Sequence, residues 1–245
     1  MPGIPPSVET ITYFAIDANG AVVSQIGQNR SMTDFGVISD ELPAGTYTIE
    51  MFATTTGYAI TKDMVTNSSN IANEGKEFWK DSFATKFTLT IANTDVSTNV
   101  NLHRVVGQIT LKILDAIPNN VNKITVSVSS DADSYYFETD GIIGPIGSNY
   151  LSYSKARQLI TTIPSSAKGK TDFQISVIVL DTSKKHTVTV TSYDVKGIVL
   201  TQTVISQVGV QRNTNTILSG KLFGTDVIFD VGLNHEWSNN FNYDF

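Results

Sequence analysis

The sequence predicts an all-β chain of two tandem antiparallel β-sandwich domains, and three observations carry that expectation. Apolar and polar side chains alternate through most of the 245 residues, as they do in strands with one buried face. Helical periodicity is almost absent. One short hairpin phrase is also written twice, far apart.

Taken in order, "ETITYFAID" and "AVVSQI" flank Asp17-Ala18-Asn19-Gly20, a turn between two alternating runs. "TYTIEMF" and "KFTLTI" follow as strands, rich in the Thr, Ile, Tyr and Phe that fit a pleated, half-buried surface. Between them, "NIANEGKEFWKDSF" (Asn70 to Phe83) reads as a short turn or helix inside a connection. In "NVNLHRVVGQITLKILDAIPNNVNKITVSV", Val100 and Leu102 share one parity, while Val105, Ile109, Leu111 and Ile113 share the other. The phase slips near His103–Arg104. Either a β-bulge inserts one residue there, or the strand crosses from one sheet to the other. Pro118-Asn119-Asn120 turns the chain into "ITVSVSS", and "DFQISVIVL" and "HTVTVTSYD" continue the alternation.

The repeated phrase is "FAIDANGAVVSQ" against "TSYDVKGIVLTQ". Asp17, Gly20, Val22, Ser24 and Gln25 match Asp194, Gly197, Val199, Thr201 and Gln202 at a constant offset of 177 residues. Each is a hairpin turn in which Gly supplies positive φ and Asp can bond the turn backbone. The expectation is two domains of related topology that each use this hairpin. The Gly/Pro-rich "TDGIIGPIGSNY" between them reads as a boundary. It divides the chain into an N-terminal sandwich over 1–147 and a C-terminal one over 148–245.

Charge narrows the function. Seventeen Lys+Arg against 23 Asp+Glu give net charge −6, and no basic cluster of the kind nucleic acid requires is present. Without cysteine, disulfides, zinc–thiolate sites and thiol nucleophiles are excluded. No apolar run approaches the roughly 18–20 residues that cross a bilayer. No secretion signal is read at Met1-Pro2-Gly3-Ile4-Pro5-Pro6.

Catalytic motifs fail one by one. Gly169-Lys170-Thr171 resembles the end of a phosphate loop, but Pro164 stands where the first Gly belongs, and a strand follows instead of a helix. Asp131 and Asp133 open like a calcium loop that Tyr135, Tyr136 and Ile142 then break. His103, His186 and His235 are scattered without metalloprotease spacing, and no G-x-S-x-G elbow exists. Nothing selects a carboxylate pair for glycoside hydrolysis. The expectation is a non-enzyme without metal or cofactor. Trp79 and Trp237, with Tyr135, Tyr136 and Tyr153, are candidates for stacking on sugars, although such residues also cap sandwich cores.

The order of these pieces resembles the fimbrillin superfamily of Bacteroides-type bacteria: fimbrial shaft, tip and anchor subunits. The similarity rests on "VNLHRVVGQITLKILDAIPNNVNKITVSV", "LPAGTYTIEMF", "QRNTNTILSGKLFG" and the closing "NHEWSNNFNYDF" with Trp237. The resemblance implies transthyretin-like, Greek-key sandwiches, export through a lipoprotein leader, display on the outer membrane, and partnership with other fimbrial subunits by strand addition. Membrane attachment would run only through a lipid anchor, whose Cys this chain lacks. Family shaft subunits are cut after a basic residue. The first one here is Arg30, and a cut there would remove a whole hairpin. The expected function is therefore a fimbrial or adhesin-like surface protein. Val8–Asp17 and Thr225–Asp230, with the tail to Phe245, would be its exchange or docking elements. The alternative is a surface glycan-binding lipoprotein using Trp79 and Trp237, with a host or bacterial surface receptor or glycan as partner.

Overall fold

The computed structural model describes residues 4, 7–55, 59–63, 68–72, 77–137, 141–142, 155–224, 229–234 and 243–244. The alternating runs are strands. The first seven are β1 (Thr10–Ile16), β2 (Val22–Asn29), β3 (Gly45–Thr54), β4 (Ala59–Asp63), β5 (Ser68–Ala72), β6 (Ser82–Ile91) and β7 (Asn101–Arg104). Next come β8 (Gly107–Ile113), β9 (Lys123–Asp131), β10 (Ser134–Tyr136), β11 (Gly141–Ile142) and β12 (Lys155–Thr162). The last are β13 (Phe173–Val179), β14 (Lys185–Tyr193), β15 (Val199–Gly209), β16 (Asn215–Gly220), β17 (Phe229–Asn234) and β18 (Tyr243–Asp244). A single 3₁₀ turn at Ser165–Ala167 is the one helical element among the described residues.

Two four-stranded sheets, β12-β9-β14-β15 and β13-β8-β16-β17, face each other as a β-sandwich. Its core draws Ile109, Leu111, Val177 and Leu218 from one sheet and Ile124, Val126, Val128, Val188 and Val190 from the other. The six-stranded sheet β18-β7-β6-β3-β1-β2 is built differently. One face buries Ile11, Tyr13, Ile49, Met51 and Leu102 beneath Phe35, Ile38 and Leu42 of the 30–44 loop. Gln28 holds that loop down: its amide donates to the carbonyls of Asp34 (3.2 Å) and Val37 (2.8 Å), and its Oε1 accepts from Gly36 N. Burial, then the charge and hydrogen bond of Asp40, push the Tyr13 hydroxyl well above the usual phenol range, which ties the loop to β1.

The parity slip near His103–Arg104 is a sheet crossing. β7 pairs with β6 in the first sheet, and three residues later β8 pairs with β13 in the sandwich. Gly107 permits the crossing, because a Cβ there would stand 2.4 Å from the Gln211 carbonyl oxygen and from Val210 Cγ1. The sheets therefore divide the chain at Val105–Val106, not near Gly147. β8 and β9, expected in the N-terminal unit, belong wholly to the C-terminal core. Of the Gly/Pro segment between β9 and β12, only Gly141–Ile142, which form β11, are among the described residues. β10 and β11 join β4 and β5, an excursion from the first sheet, in a small sheet β11-β10-β5-β4 shared by both halves.

Two further expectations meet the structure. Of the short turn or helix expected within Asn70–Phe83, the described residues show none: Asn70 to Ala72 finish β5, residues 73–76 lie outside the described set, and Ser82 opens β6. Phe78 is buried in the sandwich core and Trp79 in a separate one. Extended backbone sends neighbours to opposite sides, as those two destinations require. The repeated hairpins match in detail. Asp17 Oδ1 accepts from Asn19 N (2.9 Å) and Ala21 N (2.8 Å), as Asp194 Oδ1 does from Lys196 N and Ile198 N, both at 2.8 Å. Gly20 and Gly197 sit at φ 79° and 80°. Each hairpin carries a bulge at the equivalent place, Ala15/Ile16 and Ser192/Tyr193. The topologies around them differ, since β1 pairs with the later β3 while β14 pairs with the earlier β9. What recurs is a bulged hairpin with its outer strand at a sheet edge.

Candidate functional site

The terminal elements expected to dock or exchange lie in unlike places. β1 is no loose terminal strand: it is hydrogen-bonded on both sides, to β2 and β3, and mostly buried. β17 is an edge strand, paired only with β16 among the described residues. Phe229, Val231 and Leu233 oppose Gly220, Leu218 and Thr216, on the side of β16 that faces the core. Yet Val231 and Leu233 are each 51% exposed, whereas Leu218 is fully buried. The sandwich is thus open along this edge. A cleft of about 230 Å³ lies there between Leu233, Thr182, Ser183, Lys184, Lys185, Gly209, Val210 and Gln211. Beyond β17 the chain returns as β18 to pair with Asn101 and Leu102 of β7, so the C-terminal segment touches both halves. The expected strand Thr225–Asp230 is observed at Phe229–Asn234, with 225–228 outside the described residues.

Behind these edges lies the junction of the halves. Phe52, Trp79, Ala84, Val105, Val106, Ala132, Tyr135, Phe137 and Leu180 form its apolar core. Arg104 bridges it: Nε and Nη2 donate to Asp81 at 2.7 and 3.0 Å, while Nη1 donates to Asn213 Oδ1 at 2.7 Å. Its guanidinium also stacks over Phe83. The backbone of Asn213, at φ 52°, donates to the Val106 carbonyl. The L-x-R and R-N segments that carried the family resemblance thus meet at one place.

Arg157 is the second bridge, and it is fully buried. Nη2 donates to Asp133 Oδ1 (2.8 Å) and to the Ala132 carbonyl (3.1 Å), and Nη1 to the Glu77 carbonyl (3.2 Å). Asp131 Oδ1 accepts from the backbone N–H of Ala132, Leu180 and Asp181. Burial pushes its carboxyl up to about 6, against the pull of those N–H groups, Arg157 and His186. Burial also works to raise Asp181, but hydrogen bonds from Lys184 and Ser183 hold it below the usual range. His186 lies between the carbonyls of Ser129 (2.9 Å) and Asp181 (2.6 Å). The calcium-like Asp131 and Asp133 are thus acceptors for backbone and arginine. Among the described residues no group of three His, Asp or Glu could hold a metal.

Trp79 does not present a ring to solvent. It is 1% exposed, and its Nε1 donates to the Ala132 carbonyl at 2.8 Å, so it is a packing residue of the junction. Tyr135 is likewise buried, edge-on to Phe137. Trp237, Tyr153 and His235 lie outside the described residues. Gly169-Lys170-Thr171 forms an exposed loop before β13, Gly169 at φ 73°. Arg157 drew no notice in the sequence. Its signal was a charge on the inward parity of β12, two residues before Leu159, where an apolar residue belongs.

The model of a family of unknown function, DUF6562, matches residues 34–245. A search of curated protein sequences returns no match. Among solved structures, a protein from Bacteroides thetaiotaomicron proposed to bind polysaccharide superposes with TM-score 0.60 at 11% identity, covering 93% of this chain and 89% of that one. A proposed adhesin from the same species gives TM-score 0.58 at 9% identity, over 93% and 89%. The fimbrial anchor protein Mfa2 from Porphyromonas gingivalis gives 0.50 at 15%, over 98% and 92%. The fold is that of these proteins.

Proposed function

We propose, from the premise that this chain belongs to the family DUF6562, that it is a non-catalytic fimbrial or fimbrium-associated adhesion protein of the cell surface, assembling by β-strand addition. One observation carries the reading: the open edge at β17, where core-facing Val231 and Leu233 stay half-exposed on a strand paired only with β16 among the described residues. A strand arriving from another subunit would gain ladder hydrogen bonds and cover those side chains. The adhesin and the fimbrial anchor protein that share the fold support this role, and the reading includes a lipid-anchored place on the outer membrane. Removing Glu236–Phe245 tests the tail's part. Outer-membrane fractions blotted without boiling are expected to lose high-mass species in the truncated chain, and an unchanged pattern would remove the tail from the mechanism.

A second reading, glycan binding, is favoured by the fold's likeness to the proposed polysaccharide-binding protein. It rests on Trp237, since Trp79 is buried. Calorimetry with host and plant polysaccharides tests it: saturable heat lost in Trp237→Ala is expected, and silence with every glycan would end it.

A further inference from the structure

The twice-written hairpin phrase has no part in the reading above, yet it builds a matched pair of free edges. β2 ends the six-stranded sheet and β15 ends one sheet of the sandwich, and among the described residues neither has a partner on its outer side. Soluble proteins guard such edges with charge, Pro or bulges. Here charge is missing, because Ala21–Asn29 and Ile198–Gln211 contain no Asp, Glu, Lys, Arg or Pro. Other edges keep it or are covered: β12 has Lys155, β17 has Asp230, and uncharged β13 packs Ile178 into the junction. Bulges limit both free edges to short regular windows. On β15 the register is regular from Thr201 to Ile205, between the turn bulge and the break near Gln207. On β2 it is regular from Ser24 to Asn29.

These windows fit each other. Gln25 and Gly27 are exposed on β2, and Gln202 and Val204 on β15. Ile26 and Ile205 turn toward their own cores. An antiparallel register that opposes Gln25 to Val204 and Gly27 to Gln202 keeps outward side chains outward and inward ones inward along all five positions. A one-residue slip would break that match. Gly27, with open space around its Cβ position, leaves room for the Gln202 side chain.

We propose that β2 of one copy pairs with β15 of a second copy of this chain. The two edges belong to different sheets of one molecule, so the contact is heterologous and repeats head to tail. It leaves every native strand in place and is independent of the C-terminal tail.

A chain without cysteine makes the test direct. The full chain carrying Gln25→Cys and Val204→Cys should, on mild oxidation, give a ladder of cross-linked multimers on a non-reducing gel. Gln25→Cys alone and Val204→Cys alone should stay monomeric. The same ladder is expected from a double-cysteine chain lacking Glu236–Phe245, which separates this pairing from the tail-dependent assembly proposed above. Unmodified chain and a Gln202→Lys/Val204→Lys variant would be compared by sedimentation, and self-association should weaken at least tenfold in the variant. Both side chains are exposed, and matching circular dichroism would verify its fold. Monomers throughout, or dimers from either single-cysteine chain, would overturn the pairing.

Discussion

The two halves bury their apolar residues in different ways. The sandwich closes two sheets on each other, so its core is made of regular strands on both sides. The six-stranded sheet has an irregular loop for a lid, and that lid depends on Gln28, Asp40 and three apolar side chains. Ladder hydrogen bonds make the first arrangement cooperative, whereas the second is only as firm as its strap. The junction adds a third kind, apolar but pinned by two arginines.

The largest effect is expected at the junction. Arg157→Leu would strand Asp131 and Asp133 without their buried partner and should cost about 3–5 kcal/mol. The fall in thermal midpoint should come with lost amide protection at both Trp79 and Leu180. Loss confined to β12 would mean that the arginine serves the sandwich alone. Next come the cores: Phe35→Ala should cost about 3–5 kcal/mol and Leu218→Ala about 2–5 kcal/mol. Hydrogen exchange is expected to rise over β1–β3 in the first and over β8, β13 and β16 in the second. Protection lost everywhere in both would show one cooperative unit instead of two.

A smaller effect lies in pH. Asp131 is raised from 3.8 to about 6 by burial, so the folded state holds its proton more tightly than the unfolded state does. Its contribution to stability is complete below pH 4 and is lost as pH rises through about 6. Chemical denaturation between pH 4 and 7 should show that slope in the native chain and a flatter one in Asp131→Asn. Equal slopes would assign the dependence elsewhere. The finest comparison sets Gly20→Ala against Gly197→Ala. Each forces a side chain to positive φ and should cost about 1–2 kcal/mol, and urea midpoints should agree between the two if the turns are energetically as alike as their hydrogen bonds.

Much of this fold was legible in the residues. Alternation located the strands, the Asp-x-x-Gly phrases located both hairpins, and the parity change at His103–Arg104 marked the crossing. The partition was not legible, because "TDGIIGPIGSNY" carries the Gly and Pro of any exposed connection. Nothing local tells a linker from an excursion that returns to its own sheet. Trp79 failed as a site for a related reason: its neighbours Ala132 and Leu180 are distant in sequence, and burial by distant residues leaves no local pattern. The exposed Val231 and Leu233 obey ordinary strand alternation, so only their exposure in the fold reveals them.

The register of β16 carries a mechanical consequence. It runs parallel to β8, Asn215 beside Gln108 and Gly220 beside Ile113, while β17 runs antiparallel on its other side. Tension between Gly107 and the end of β17 pulls on two points at the same end of this sheet, so β17 would peel away one bond after another. Once it is gone, the pull reaches Gly220, at the far end from Gly107. The whole β8–β16 ladder is then loaded lengthwise, and its bonds must fail together. Under tension, that order makes β17 a yielding first stage in front of a stiff second one.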